Sequence, residues 1–359
     1  MKLRVQEVTD ARRWNELLAS LPTSHVLQSW QWGEVKRQTG WQARRLLFLD
    51  EAERPRAAAT LLRRCLPDPL PLSILYVPKG PALDYSDGEL AAAVLAVLEQ
   101  AAHRTSAIFV KIDLDVRSDS ENGQAFIGLL RARGWQPSAE QIQFRNTALL
   151  DISPDEDTLL ARMKSKWRYN IRLAQRRGVV VRSGDEADLG VFYELYAETS
   201  ARDGFLIRPF AYYEVAWRTF LATQRAGDPL VGGVLLLAEQ ADEERPVAGL
   251  FLLRFAHTAW YMYGASSNRG RQHMPNHLLQ WEAIRWARAQ GCTTYDLWGA
   301  PDVLDESDPM WGVWRFKEGF GARFTPQIGA WDYPVSRWLY WGYTILMPRV
   351  LDLMRRRHR

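Results

Sequence analysis

Three segments in close succession decide the reading of this chain: His277-Leu278-Leu279-Gln280-Trp281-Glu282-Ala283-Ile284-Arg285-Trp286-Ala287, then Thr293-Thr294-Tyr295-Asp296-Leu297-Trp298-Gly299, then Trp311-Gly312-Val313-Trp314-Arg315-Phe316-Lys317-Glu318-Gly319-Phe320-Gly321. The first reads as an apolar-faced helix stopped by Gly291, and the second as a short strand. The third is an aromatic stretch holding one lysine, a composition suited to building a site. Working back from it, Ala187–Arg202 and Phe210–Ala222 read as helices, and Val231–Ala238, Pro246–Phe255 and Thr258–Tyr263 as strands. The first half has the same order. Helices at Asp10–Leu21 and Ser29–Lys36 precede strands at Ala43–Leu49, Ala57–Arg63 and Ser73–Val77, then a helix at Glu89–His103 and a strand at Ala107–Asp113. The repeat lies in element order, not in residue identity.

The chain's 359 residues leave room for two cores at roughly 100–200 residues each. With 47% apolar residues and 16 tryptophans it can fill those cores and still line a binding cleft with aromatics, which excludes a disordered adaptor. Net charge is only +4, but the cations are clustered, a pattern that suits an anionic ligand better than general nucleic-acid coating. Two cysteines, Cys65 and Cys292, without metal-ligand spacing, indicate neither a disulfide framework nor a zinc site, so no metal is expected. The N-terminus lacks a signal-peptide core, and no uncharged apolar run reaches the roughly 20 residues of a membrane span. The expected location is the cytoplasm, with peripheral contact at the inner face of the membrane as an option.

One helix is signalled at both ends. Ser153 fits an N-cap, Pro154 the first helical position, Asp155, Glu156 and Asp157 the positive end of the dipole, and Gly178 the stop. Leu159, Leu160, Met163, Trp167, Ile171 and Ala174 form its apolar face, and Arg162, Lys164, Lys166, Arg168, Arg172, Arg176 and Arg177 its cationic one. The cations are either a solvated face or a phosphate track. Lys166, Arg168, Arg172 and Arg176 are the candidates for a tRNA acceptor stem or an anionic headgroup surface.

No histidine adjoins a nucleophile elbow, and no P-loop, HExxH or dinucleotide fingerprint occurs, which leaves group transfer or binding. Acetyl-CoA transfer would need a glycine-rich pyrophosphate turn opening a helix. Here the corresponding stretch, Ser266-Ser267-Asn268-Arg269-Gly270-Arg271-Gln272-His273-Met274-Pro275-Asn276, has one glycine and a late proline.

Six segments in order carry a resemblance: Gln28-Ser29-Trp30-Gln31-Trp32-Gly33, the basic Lys164–Gly178 stretch, Arg202-Asp203-Gly204-Phe205 with Arg208, Tyr261-Met262-Tyr263-Gly264-Ala265, Tyr295-Asp296-Leu297-Trp298-Gly299 and Phe316-Lys317-Glu318-Gly319-Phe320-Gly321. In these the chain resembles the Fem family of peptidoglycan aminoacyltransferases over nearly its whole length. The resemblance implies an α/β (α+β) fold of two tandem acyltransferase domains of the N-acetyltransferase (GNAT) kind. It is the compact type, since Ala187–Ala222 has no room for a coiled-coil arm. The expected domains are 1–152 completed by 329–359, which binds the precursor, and 153–328, which carries the basic helix and the catalytic motif, with a cleft between them.

The implied activity is transfer of an amino acid from aminoacyl-tRNA, as co-substrate and without other cofactor, to the stem-peptide amine of a precursor. That precursor is either lipid II or UDP-MurNAc-pentapeptide, and the enzyme acts as a monomer. Lys36 and Arg208 match family cations that contact the precursor diphosphate; each is otherwise an ordinary surface cation. Tyr212, Tyr261 and Tyr263 match precursor-binding tyrosines. Strand alternation puts Tyr261 and Tyr263 on one face, sharing one fate, cleft or core. Phe316 and Lys317 are the catalytic pair, Lys317 facing the oxygen on which charge grows and Phe316 shaping the donor's 3′ end. Asp296 either orients or deprotonates the amine, or only caps the following loop. An acyl-CoA-dependent N-acyltransferase and a non-catalytic anionic-lipid or RNA-binding module are the rival readings.

The segment Trp338-Leu339-Tyr340-Trp341-Gly342-Tyr343-Thr344-Ile345-Leu346-Met347, ahead of Arg355-Arg356-Arg357-His358-Arg359, is either an interfacial anchor or a helix packed on the first domain.

Overall fold

The computed structural model describes residues 1–66 and 72–346. The chain divides into two units, Met1–Gln143 with Gln327–Arg359, and Phe144–Pro326.

The first unit runs β1 (Arg4–Glu7), α1 (Ala11–Ala19), α2 (Trp30–Gln38), β2 (Gln42–Leu49), β3 (Pro55–Cys65), β4 (Ser73–Val77), β5 (Ala82–Leu83), α3 (Gly88–Arg104), β6 (Ala107–Arg117), α4 (Glu121–Ala132) and β7 (Gln136–Pro137). The second runs β8 (Thr147–Asp151), α5 (Glu156–Arg162), α6 (Ser165–Arg176), β9 (Val179–Gly184), α7 (Leu189–Asp203), α8 (Phe210–Arg225), β10 (Val231–Gln240), β11 (Ala248–Phe255), β12 (Thr258–Ser266), α9 (Pro275–Ala289), β13 (Thr294–Asp296), α10 (Trp311–Glu318) and β14 (Arg323–Thr325). The chain then returns to the first unit as β15 (Gln327–Pro334) and α11 (Arg337–Trp341).

The two sheets share one plan. The first is ordered β1-β2-β3-β4-β6-β15-β7 and the second β9-β10-β11-β12-β13-β8-β14. In each, three antiparallel strands follow two helices, and a crossover helix, α3 or α9, then brings the next strand in parallel: β6 beside β4 and β13 beside β12. This is the duplication expected from element order. The α7–α8 connection is the six-residue loop 204–209, as expected of the compact type.

Each sheet takes one strand from a remote stretch of chain. β15 pairs with β6, and β8, which precedes all the helices of the second unit, pairs with β13. Because β8 hydrogen-bonds in the second sheet, the division falls at 143/144, earlier than the expected 152/153, and the return falls at 326/327.

Apolar periodicity accounts for the cores. Leu90, Ala91, Val94, Leu95, Leu98 and Ala102 of α3 are all fully buried, at helical spacing, and Asp87 caps the helix by accepting from Leu90 N. In the second unit the sheet is covered on both faces. Leu250 and Leu252 pack with Leu278, Ala283 and Ile284 of α9 and Ile171 of α6, whereas Phe251, between them, stacks on Trp217 of α8.

The basic stretch is two helices instead of one. Asp155, not Ser153, is the N-cap, accepting from Thr158 N at 2.7 Å, while Ser153 is turned back onto Asp151. Met163 and Lys164 are extended, with ψ of 151° and 142°. Lys164 N donates to the Gly319 carbonyl at 2.9 Å, and the Arg168 guanidinium takes the carbonyls of Leu160, Ala161 and Met163 that a continuous helix would have used. The apolar face survives the break, since Leu159, Met163, Ile171 and Ala174 are buried together. Gly178, at φ 76°, ends α6 as expected.

Candidate functional site

The lysine-bearing aromatic segment is α10, and its inward face carries Trp314 and, three residues on, Lys317. Lys317 is 4% exposed. Its ammonium donates to the carbonyls of Trp298 and Gly299 at 2.7 and 2.6 Å, in the loop that follows β13. Asp296, the last residue of β13, is also buried and holds the same loop from the other side. It accepts from Trp298 N at 2.7 Å and from the Thr147 hydroxyl on β8. Both ends of the Trp298 backbone are therefore tied down, and Trp298 has φ 61°, a left-handed conformation costing a non-glycine residue about 1–3 kcal/mol. Burial pushes the Lys317 ammonium down to about 7, against the charge of Asp296.

This loop leaves the sheet where its parallel ladder stops. β12 pairs with β13 only over Thr258–Trp260, then continues beside β11 to Ser266. The two strands part beyond Trp260, and Lys317 and Asp296 both hold the loop that leaves β13 there. The α9 end nearby is a poor phosphate cradle. Pro275 is its first residue and has no N–H, and His277 N is already bonded to Met274 O at 3.1 Å.

Phe316 is half-buried. Its carbonyl accepts from Trp167 Nε1 at 3.0 Å and its ring meets His277 and Phe320 edge-on at 5.3 and 5.2 Å. His277 is held down to about 4 by burial and by Lys166. Gly319 allows this packing, because a Cβ there would lie 2.1 Å from the Trp167 ring. Gly319→Ala should therefore destabilise the protein by about 1–3 kcal/mol, read as a shift in urea midpoint at unchanged slope. An unchanged midpoint would show that the α6–α10 contact is soft.

The cationic stripe is thinner than its spacing suggested. Lys166, Arg172 and Arg176 are exposed, with Arg176 over the Tyr169 ring at 5.7 Å. Arg168 is committed to the carbonyls that end α5.

Tyr261 and Tyr263 do not share a face. A β-bulge sets Phe251 opposite Tyr263 but Leu252 opposite Tyr261, leaving Met262 as the extra residue and inverting the alternation. Tyr261 turns toward the α9 side beside Gln280, its hydroxyl pushed up to about 12 by burial. Its ring runs along the strand over Gly264, where a Cβ would collide with the hydroxyl. Tyr263 turns to the α7–α8 side, among Tyr196, Tyr213 and Trp217. The same aromatic cluster organises the Arg208 loop. Arg208 N donates to the Tyr213 hydroxyl at 3.1 Å, Tyr193 donates to the Arg208 carbonyl at 3.0 Å, and the exposed guanidinium lies 5.0 Å from the Tyr212 ring, which is edge-on to Tyr213. So the structure gathers Arg208, Tyr212 and Tyr263 in one group, and Asp296 and Lys317 in another. Lys36 belongs to the first unit, half-buried on α2 with its ammonium 4.6 Å from the Trp32 ring.

Sequence reasoning passed over a buried polar cluster in the first unit. Lys79, at φ 47° just beyond β4, donates through Nζ to Asp115 at 2.7 Å and through its backbone N–H to Asp113, also at 2.7 Å. Tyr76 donates to Asp113, and His25 lies 3.5 Å from Asp115. A signal was available: Lys111, Asp113 and Asp115 alternate along β6, whose other residues before the terminal Arg117 are apolar, which places all three on one strand face. Among the described residues no group of three or more His, Cys, Asp or Glu has metal-binding geometry.

Comparison with known proteins follows this layout. The model of the FemAB family matches residues 11–226 and 235–347. A lipid II:glycine glycyltransferase of Staphylococcus aureus (strain USA300) is 29% identical over 395 aligned positions, covering 92% of this chain and 93% of that protein. A crystal structure of FemX superposes with a TM-score of 0.82 at 26% identity, over 95% of this chain and 99% of the other. A tandem GNAT protein from the clavulanic acid biosynthesis pathway, at TM-score 0.52 and 14% identity over 93% of this chain and 99% of that one, shares the fold.

Proposed function

This chain belongs to the FemAB family and is an aminoacyltransferase, and we propose that it moves an amino acid from aminoacyl-tRNA to the stem-peptide amine of a peptidoglycan precursor. Glycine is the donor to test first, because the Staphylococcus relative is named a glycyltransferase acting on lipid II. The observation that carries the reading is the buried Lys317, held by two carbonyls of the loop leaving β13.

In this reaction the acceptor amine attacks the ester carbonyl of the charged tRNA. A C–N bond forms, the C–O bond to the ribose breaks, and the departing oxygen takes the proton the amine gives up. Two of the three Lys317 N–H groups are spent on Trp298 and Gly299. In the proposal the third meets the oxygen on which charge grows, and burial keeps that interaction strong. Asp296 and Thr147 act as positioning residues that hold the Trp298 turn in its strained conformation. Phe316 walls the site, and no protein base is required, since an ester is an activated donor and a neutral amine a capable nucleophile. The exposed Lys166, Arg172 and Arg176 are proposed to contact the tRNA backbone, and Lys36 and Tyr261 the precursor.

Arg208, on a loop fixed through its backbone and with its guanidinium exposed, suits the precursor diphosphate, with Tyr212 beneath it. Arg208→Ala should raise KM for the precursor by about 10–100-fold with kcat little changed. The same loss with an acceptor lacking the diphosphate would remove that role. The whole reading is tested by supplying the protein with a pool of charged tRNAs and either lipid-linked or nucleotide-linked precursor, and reading the mass added to the acceptor. A gain of one amino acid supports it; acetylation from acetyl-CoA in its place would overturn it.

A further inference from the structure

We propose that the outward face of α11 and the turn after it is a docking surface for an anionic phospholipid bilayer. The inner side of this segment is well fixed. Ser336 caps α11, the Tyr340 ring meets Phe109 of β6 edge-on at 5.4 Å, and the Tyr340 hydroxyl donates to Asp332 of β15 at 2.7 Å. One turn on, Tyr343 packs against the same Phe109 at 5.8 Å. Anchoring through those two tyrosines leaves the large apolar side chains outside. Trp338 is 85% exposed, Trp341 51%, Leu339 44% and Leu346 48%. Solvent-facing tryptophans and leucines gathered in so short a segment are of the kind that marks an interaction surface.

Charge and chain position select the occupant. The sequence following Leu346 contains five arginines, Arg349, Arg355, Arg356, Arg357 and Arg359, against a single aspartate, Asp352; those residues lie outside the described structure. Tryptophan favours the interface between headgroups and acyl chains, and arginines that follow it in the sequence add attraction to anionic lipid. No helix among the described residues is long and apolar enough to cross a membrane, so the contact is one of surface insertion. This deepens the reading of the chain as an enzyme with a lipid-borne acceptor, and its test is independent of turnover.

The test is flotation of the full chain with vesicles of phosphatidylcholine alone or with phosphatidylglycerol, comparing wild type with Trp338→Ser/Trp341→Ser. Both tryptophans are exposed, so the variant should keep the wild-type melting temperature and its transfer to a nucleotide-linked acceptor. Binding to the anionic vesicles is expected, weak binding to neutral ones, and a fall of about tenfold or more in partition coefficient for the variant. Absence of wild-type binding to anionic vesicles, or equal binding by the variant, would overturn the proposal. So would a change from dimer to monomer in the variant alone, which would assign the face to a second copy. If vesicles bind and no acceptor gains an amino acid, the surface stands and the catalytic reading fails.

Discussion

Lys317→Met should lower kcat for aminoacyl transfer by about 10²–10³-fold with a much smaller effect on either KM, the size of loss seen when a preorganised oxyanion partner is removed. Methionine has a similar length and no charge, so it fills the space under the Trp298–Gly299 turn but offers no donor to the two carbonyls or to substrate. A second readout separates catalysis from simple support of the turn. Because burial brings the Lys317 ammonium down to about 7, the wild-type rate should carry a limb that falls as pH rises through about 7, and the variant should lack that limb. Stability moves in the opposite sense. Between about pH 7 and the ordinary lysine value the unfolded chain holds a proton that the folded chain has released, so this group's contribution to stability grows with pH across that window and is constant below it. A variant with the same fall in kcat but an unchanged pH limb would reduce Lys317 to a strut.

Asp115→Ala is expected to destabilise the first unit by about 3 kcal/mol, because it leaves the Lys79 ammonium, 4% exposed, without the carboxylate 2.7 Å away. The urea midpoint should move at nearly constant slope. Asp115→Asn should cost less, since the amide oxygen still accepts from Lys79. Acid should act on the wild type in the same place. Burial alone would raise the Asp115 carboxyl, but Lys79 and His25 outweigh it and hold it below the usual range, so its contribution is present above that range and is lost as pH falls through the lowered value. His25 is pushed down to about 3 by burial, with Asp115 pulling it up and Lys79 pushing it further down. Below the ordinary histidine value the unfolded chain takes up a proton that folded His25 refuses, so stability falls again over the same descent. Both groups predispose the first unit to acid unfolding. A pH–stability curve for Asp115→Ala parallel to that of the wild type would refute the assignment.

What the sequence revealed and what it concealed have physical causes. Long, strongly periodic segments were legible: Ser73–Val77 is a strand with those very bounds, and the expected Glu89–His103 helix differs from α3 by one residue at each end. The duplicated order and the parallel entry of the strand after each crossover helix followed from such segments. Contributions from distant chain were not legible. β8 and β15 complete their sheets from outside the repeats, and neither short run announces its partner. The bulge at Met262 is one added residue without a type signature, yet it sends Tyr261 and Tyr263 to opposite faces. The break at Met163 arises from bonds to Gly319 and Arg168 that are remote or unexpected in a helix-forming stretch.

At the site, residue types were easier to pick than their directions. Lys317 and Asp296 do converge on one loop, but that the lysine sits buried beneath the turn, with two of its N–H groups on the Trp298 and Gly299 carbonyls, was not evident from the lysine alone. Its spacing of three from Trp314 was the available clue, since it places the lysine on the same helix face as a buried tryptophan. Asp296 accepts from the backbone two residues on, which is the loop-capping alternative of its sequence reading.

The most direct measurement is single-turnover transfer of labelled glycine from glycyl-tRNA to purified lipid-linked precursor, run with the wild type and with Lys317→Met and chased with unlabelled acetyl-CoA. Label should appear in the precursor within the wild-type reaction, at a rate lower by about 10²–10³-fold in the variant, with no acetyl group in either product. Label that stays on tRNA while the acceptor is acetylated, or transfer at equal rates by both proteins, would contradict that expectation.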